Sequence, residues 1–339
     1  MIQKTLHLVD PELVPILRGF TRPPLSETTL PALREMALPI LEEPSEAGRR
    51  VQAIRFNVPG PQDAPEVGVI VYRPPSTDIA LPCIFHIHGG GYILGKAGQR
   101  EAAHRDLAAS LHCAIVTVDY RLAPETPFPG AINDCYAALQ WLFAEAPRLD
   151  IDATRIGVAG ESAGGGLAAA LALMVRDRGE HNLTFQHLIY PMLDDRTGVS
   201  GSPHPQTGEF IWTAQDNAFA WGALLGCKPG GKDVSPYAAA ARAQDLSRLP
   251  ATFISTGALD LFVEEDIDYA RRLSRAGVSV ELHVYPGAFH GFEISPTAGI
   301  ARLSRANSKA ALERALKKPA GHAVDGESRR VGSRLGAPP

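Results

Sequence analysis

The sequence predicts an α/β protein whose mostly parallel sheet of about eight strands carries helices on both faces and a helical cap. Three observations carry that expectation. Short, β-branched apolar runs alternate with segments of helical periodicity, and strand–helix–strand repeats require crossover connections and hence parallel neighbours. No period of 20 to 50 residues recurs, which argues against solenoids and propellers. Two regions stand outside the alternation, one at the start of the chain and one inserted after a late strand.

Taken in order, residues 1–45 hold short apolar stretches broken by Pro11, Pro15, Pro23, Pro24, Pro31, Pro39 and Pro44, which permits only short helices with abrupt ends. Strand candidates follow at 51–58 and 67–72 with no helix between them, so an antiparallel pair at one edge is expected. Further strand candidates lie at 82–87, 114–119, 155–159, 185–190, 251–256 and 278–285, with helical segments at 99–111, 131–146, 162–178 and 264–276. Between 194 and 250 a Gly/Pro-rich loop leads into a helical stretch, 210–225, and a second turn at 228–232. An insertion after the carboxyl end of a strand sits over the ligand crevice of an open parallel sheet. The organisation expected is therefore a cap from 1–45 and 194–250, a core from 46–193 and 251–316, and a disordered tail from 317 to 339.

Composition narrows the function. With 33 Lys+Arg against 37 Asp+Glu the 339 residues carry a formal charge of −4, and no long block of like charge appears, so neither nucleic acid nor an anionic membrane surface is an expected partner. The start of the chain lacks a basic region followed by an apolar run, and the longest apolar stretch, 163–175, is shorter than the ~20 residues of a membrane span. A cytoplasmic protein without stable membrane anchoring is the expectation. Cys83, Cys113, Cys135 and Cys227 show no metal-ligand spacing and read as buried reduced thiols.

The strongest chemical signal is Gly160-Glu161-Ser162-Ala163-Gly164, placed between the strand RIGVA and a helix rich in small residues. A strand–turn–helix context is what a G-x-S-x-G turn needs to expose a nucleophilic serine. The following helix start presents amide N–H groups and a positive dipole end where negative charge would develop. The second signal is His88-Gly89-Gly90-Gly91 after the strand CIFHIH, whose glycines let the main chain point its amides into a pocket. Gly89, Gly90 and Ala163 are the expected oxyanion donors. His86 and His88, two apart, would share one side of a strand, yet no third ligand completes a metal site, and none is expected.

A serine hydroxyl needs a base. His290, on the loop AFHGF beyond the last strand, is the best placed, whereas His283 lies inside that strand and reads as structural. Asp260, at the end of ATFISTGALD, reaches the same edge and is the expected acid. Its rivals Glu264, Glu265 and Asp266 fall in the next helix and read as a solvated face. Tyr190, Phe210, Trp212 and Phe219 could line an acyl pocket or form cap core. The run 119–125, DYRLAPE, reads chiefly as a brace for the strand end and the glycine loop, with substrate contact as the alternative, and Glu161 need not face the substrate.

With HGGGY at 88–92, DYRLAPETPFPGAINDC at 119–135, GESAGGGLA at 160–168 and HGF at 290–292, the chain from about 82 to 292 resembles the hormone-sensitive-lipase-like esterases of the α/β-hydrolase fold. The order Ser162, Asp260, His290 is the order of that fold. The resemblance implies the same triad and oxyanion hole, and a cap that binds part of an ester. Tyr92 stands where that family carries an aromatic and is a candidate substrate contact. Asp260-Leu261-Phe262 departs from the family's usual Asp-Pro-Leu. The expected activity is cofactor-free hydrolysis of short- to medium-chain carboxylic esters through an acyl-enzyme. An amidase or lactonase with the same triad, or a non-catalytic ligand-binding receptor, is the alternative. A homodimer through an exposed last strand or helix stays open.

Overall fold

The structure, a computed structural model, describes residues 4–36, 43–62, 64–75, 79–199 and 203–317. An eight-stranded sheet in the order β1-β2-β4-β3-β5-β6-β7-β8 forms its centre. The strands are β1 (Gln52–Val58), β2 (Val67–Arg73), β3 (Leu81–Ile87), β4 (Ala114–Asp119), β5 (Ile151–Glu161), β6 (Phe185–Ile189), β7 (Ala251–Gly257) and β8 (Val280–Tyr285). β2 runs antiparallel to both β1 and β4, and all pairs from β4 to β8 are parallel. The sequence places the helix-free connection at β1–β2 for this reason: a short link suffices for an antiparallel pair, while each later strand needs a crossover.

The helices are α1 (Val14–Gly19), α2 (Leu30–Glu35), α3 (Glu46–Arg49), α4 (Glu101–Leu111), α5 (Gly130–Glu145), α6 (Ala163–Arg178), α7 (Ala214–Leu225), α8 (Val263–Arg275) and α9 (Gly299–Ala315). β3, buried at every position, reads as an unbroken apolar run because both faces are covered. The main core contains Phe85, Ile87, Val116, Val118, Leu139 and Leu171, and a separate cluster under α4 and α9 contains Ile84, Ala108, Ile115, Ala159 and Leu312.

Two elements differ from expectation in their bounds, and one helix was not expected. β5 extends from 151 to 161, and α7 starts at Ala214 because Thr213 and Asp216 form a capping box that fixes its entry. α9 was not foreseen. It buries mainly Ala301, Ser304, Ala311 and Leu312 and leaves Leu303 exposed, so its sequence shows no strong apolar stripe. The expected tail falls, Lys317 apart, outside the described residues. Of the cysteines, Cys83, Cys113 and Cys135 are buried and free, whereas Cys227 is exposed in the turn after α7, a correction to the reading of four buried thiols.

The N-terminal segment packs on the inserted one. Lys4 and Thr5 donate their amides to Glu209 at 2.7 and 2.8 Å, and Arg22 pairs with Asp216 at 2.8 Å. A small apolar cluster of Leu13, Phe210, Leu259, Phe289 and Phe292 ties the same segment to the loop after β8. At about 1.5–3 kcal/mol for each fully buried Leu or Phe side chain, this cluster is a strong fastening for a segment with little helix of its own. Among the described residues no helix is long and apolar enough to cross a membrane.

Candidate active site

The site stands at the carboxyl ends of β3, β5, β7 and β8. Ser162 occupies the turn between β5 and α6 with φ 55° and ψ −122°, a region that costs a non-glycine residue of the order of 1–3 kcal/mol and persists only where its surroundings enforce it. The surroundings are main chain. The Ser162 amide donates to Ile189 O at 2.9 Å, and its carbonyl accepts from Met192 at 2.9 Å and Gly166 at 3.0 Å. A Cβ at Gly160 would lie 2.3 Å from Gly164 O, and one at Gly164 would lie 2.1 Å from Ile87 O, so neither position tolerates a side chain.

His290 meets Ser162 and Asp260 at once. Ser162 Oγ lies 3.0 Å from His290 Nε2, and His290 Nδ1 lies 2.8 Å from Asp260 Oδ2. Because an ionised carboxylate only accepts, the proton belongs on Nδ1, which leaves Nε2 free to accept from the hydroxyl. Asp260 is completely buried and its Oδ1 accepts from the Phe262 amide at 3.0 Å, a bond that fixes the carboxylate plane. The residues expected from sequence are therefore within hydrogen-bond distance of one another, across separations of 30 and 128 positions in the chain.

The rival acids need a correction. Glu264 is exposed, but Glu265 and Asp266 are buried rather than solvated. The Glu265 carboxyl accepts from the Leu193 amide at 2.6 Å and from Thr197, and so braces the segment after β6. Burial pushes both Glu265 and Asp266 well above the usual carboxylate range, and neighbouring acids push in the same direction. The start of α8 packs inward under the loops, which a charged heptad in the sequence does not reveal.

The glycine loop is held from behind. Gly90 has φ +121° and Gly91 φ +61°, and a Cβ on Gly89 would approach Glu161 O to 2.8 Å, so the loop lies directly against the serine turn. Among the described residues the amides of Gly89 and Gly90 make no main-chain hydrogen bond, and that of Ala163 is one of the first four of α6, which have no carbonyl in a preceding turn. Tyr120 donates its hydroxyl to His88 O at 2.9 Å and stacks on the His88 ring at 4.3 Å. Arg121 is bound through two nitrogens to the buried Asp134, and Arg34 pairs with Glu125 and donates to Ala123 O and Ile93 O. Within the run 119–125, Tyr120 thus ties down the glycine loop by a buried hydrogen bond, while Arg121 and Glu125 pair with Asp134 and Arg34.

His86 and His88 have different hydrogen-bond partners. His86 donates to Glu161 at 2.9 Å and meets His104 edge-on at 4.4 Å, while His88 donates to Gly89 O at 2.8 Å. Burial lowers the pKa of His88, so it stays neutral and spends its one N–H on the glycine loop. Among the described residues no group of side chains could hold a metal ion.

The aromatic candidates divide. Tyr190 lies 4.6 Å from the His290 ring and Trp212 6.2 Å from it, with Trp212 also closing over Gly91. Phe262, which the sequence did not single out, meets His290 at 5.2 Å, edge to face. Tyr92 is fully buried, and its hydroxyl donates to Met192 O at 2.9 Å. Phe210 packs on Phe289 at 5.9 Å within the cluster that fastens the N-terminal segment. Phe219 is half-buried against the main core.

Residues 84–294 match the sequence profile of the α/β hydrolase fold. NlhH, a carboxylesterase of Mycobacterium tuberculosis, is 36% identical over 253 residues, 74% of this chain and 79% of that protein. Among solved structures, a bacterial heroin esterase aligns with a TM-score of 0.87 at 39% identity, covering 93% of this chain and 100% of that one. An esterase of the archaeon Pyrobaculum calidifontis aligns with a TM-score of 0.78 at 33% identity, covering 90% and 98%. The sheet order, the turn at Ser162 and these relatives agree, and the chain belongs to the α/β-hydrolase family, in the hormone-sensitive-lipase-like branch of carboxylesterases.

Proposed function

We propose that this chain hydrolyses short- to medium-chain carboxylic esters through an acyl-enzyme on Ser162, with His290 as base and acid, Asp260 as its orienting carboxylate, and the amides of Gly89, Gly90 and Ala163 as oxyanion donors. The observation that carries this reading is the hydrogen-bonded chain Ser162–His290–Asp260, at 3.0 and 2.8 Å. His290 Nε2 takes the hydroxyl proton as Oγ attacks the ester carbonyl, and the carbonyl π electrons move onto its oxygen, opposite the three amides. The tetrahedral intermediate collapses as the imidazolium gives its proton to the leaving alcohol. Water then repeats the sequence on the acyl-enzyme, releasing the acid and restoring Ser162.

The segments 1–45 and 194–250 would form a cap over this site, supported by the contacts of Thr5 with Glu209 and of Arg22 with Asp216 and by the approach of Trp212 to Gly91. Tyr190, Trp212 and Phe262 crowd His290 on several sides, which supports a small acyl group. The test is kcat/KM across nitrophenyl esters of increasing acyl length, beside matched nitroanilides. The reading expects a maximum at short to medium chains and at least 100-fold less turnover of the anilides. A preference for anilides, or a rate that keeps rising with chain length, would overturn it.

A further inference from the structure

Trp212 stands just before α7, and its indole rests on the glycine loop. A Cβ on Gly91 would lie 2.4 Å from the indole Cη2 and 3.0 Å from its Cζ2, and the same ring lies 6.2 Å from the His290 imidazole. Ser162 and His290 are each only 6% exposed, so the groups that stand over them decide what size of substrate reaches the hydroxyl. The indole is held by a chain of buried polar groups. Its Nε1 donates to Asn217 Oδ1 at 3.1 Å, and Asn217 Nδ2 donates to Thr197 O at 2.8 Å. An indole N–H only donates and a carbonyl only accepts, so the Asn217 amide satisfies both in one orientation alone. Thr197 passes its hydroxyl to Glu265, whose other oxygen accepts from the Leu193 amide at 2.6 Å. The preceding residue, Met192, donates its amide to Ser162 O at 2.9 Å, so the chain runs from the indole back to the serine turn. The main chain is held as well: Ile211 has φ +60°, rare for a β-branched residue, and its carbonyl accepts from Arg22 at 3.1 Å.

We propose that Asn217 is a positioning residue that determines specificity: it pins the Trp212 indole against Gly91 as a fixed wall, and that wall limits the length of acyl chain the site accepts. This rests on the esterase reading given above and deepens it. The leaving alcohol has to stand at His290 Nε2 to take its proton, so the wall on the side of the glycine loop faces the acyl part. A wall discriminates only if it does not yield. One methylene too many in a close-fitting apolar pocket is worth about 10- to 200-fold, and an indole free to turn about its two side-chain torsions would give that up. Asn217 suits the task because one short side chain carries both an acceptor for the indole and a donor for the Thr197 carbonyl; aspartate would lose the donor and leucine both. Asn217 is wholly buried, so its influence on substrate passes through the indole.

The experiment reads kcat/KM for nitrophenyl octanoate relative to nitrophenyl acetate in the wild type, Trp212→Ala, Asn217→Leu and the double variant. Trp212→Ala is expected to raise that ratio about tenfold or more. Asn217→Leu should raise it about threefold to tenfold, the worth of one hydrogen bond. The double variant should go no further than Trp212→Ala alone, because without the indole Asn217 has nothing to hold. Asn217→Ala carries the same comparison should the Leu variant fail to fold. An unchanged ratio in Trp212→Ala or in the Asn217 variant, or effects that multiply in the double, would overturn the pinned wall, while fluorophosphonate labelling of Ser162 in the wild type leaves the esterase reading standing. A wild type that forms no adduct would remove both.

Discussion

Two buried histidine–carboxylate pairs flank the same turn. His290 meets Asp260 at 2.8 Å and His86 meets Glu161 at 2.9 Å, and all four side chains are largely or wholly shielded from water. Only one of them is placed to do acyl transfer. His290 has a hydroxyl 3.0 Å from its second nitrogen, whereas Glu161 is shared with Arg100 and the second nitrogen of His86 has no partner among the described residues. The pair alone is thus an ordinary way to satisfy buried charge. What distinguishes the His290 pair is the third group, the Ser162 hydroxyl.

That contrast can be broken by substitution. The largest effect is expected for Ser162→Ala or His290→Ala, about 10⁶-fold in kcat, while His86→Ala should stay within about tenfold of the wild type and show its cost in thermal midpoint instead. Steady-state kinetics with a soluble nitrophenyl ester, beside calorimetry, would decide it, and an equal collapse of activity in His86→Ala would end the distinction. Next comes Asp260→Asn, expected to lose about 10⁴-fold because the wrong imidazole tautomer is favoured, against about tenfold for Glu161→Gln. Then Gly89→Ala, whose new methyl would press on Glu161 O, should cost about 10²–10³-fold in kcat by displacing one oxyanion donor.

The smallest effect concerns pH. Burial alone would raise the Glu161 carboxyl, yet the charges of His86 and Arg100 outweigh it and hold the group well below the usual carboxylate range. A carboxylate depressed in the folded state contributes stability that is present above its unfolded pKa of ~4.3 and is lost as pH falls toward the folded value. The thermal midpoint of the wild type should therefore fall more steeply below pH 4 than that of Glu161→Gln. Parallel curves would show that the pair contributes nothing through ionisation.

Much of this was legible beforehand, for identifiable reasons. The strands read clearly because both faces of the sheet are covered, and the serine turn and glycine loop read clearly because they demand glycine where any Cβ would strike main chain, as at Gly160 and Gly164. His290 and Asp260 followed from where parallel strands end. α9 did not read, since it packs through alanines and a serine. The burial of Glu265 and Asp266 also escaped, because charge in a sequence signals water unless a partner is visible, and their surroundings come from the segment after β6.

The central claim is that the imidazole of His290 activates Ser162. Its most direct test is peptide mapping of a fluorophosphonate adduct in the wild type and in His290→Ala, with labelling rates measured in parallel. The account predicts a single adduct on Ser162, forming at least 10³-fold more slowly without His290. An adduct on another residue, or equally rapid labelling in His290→Ala, would contradict it.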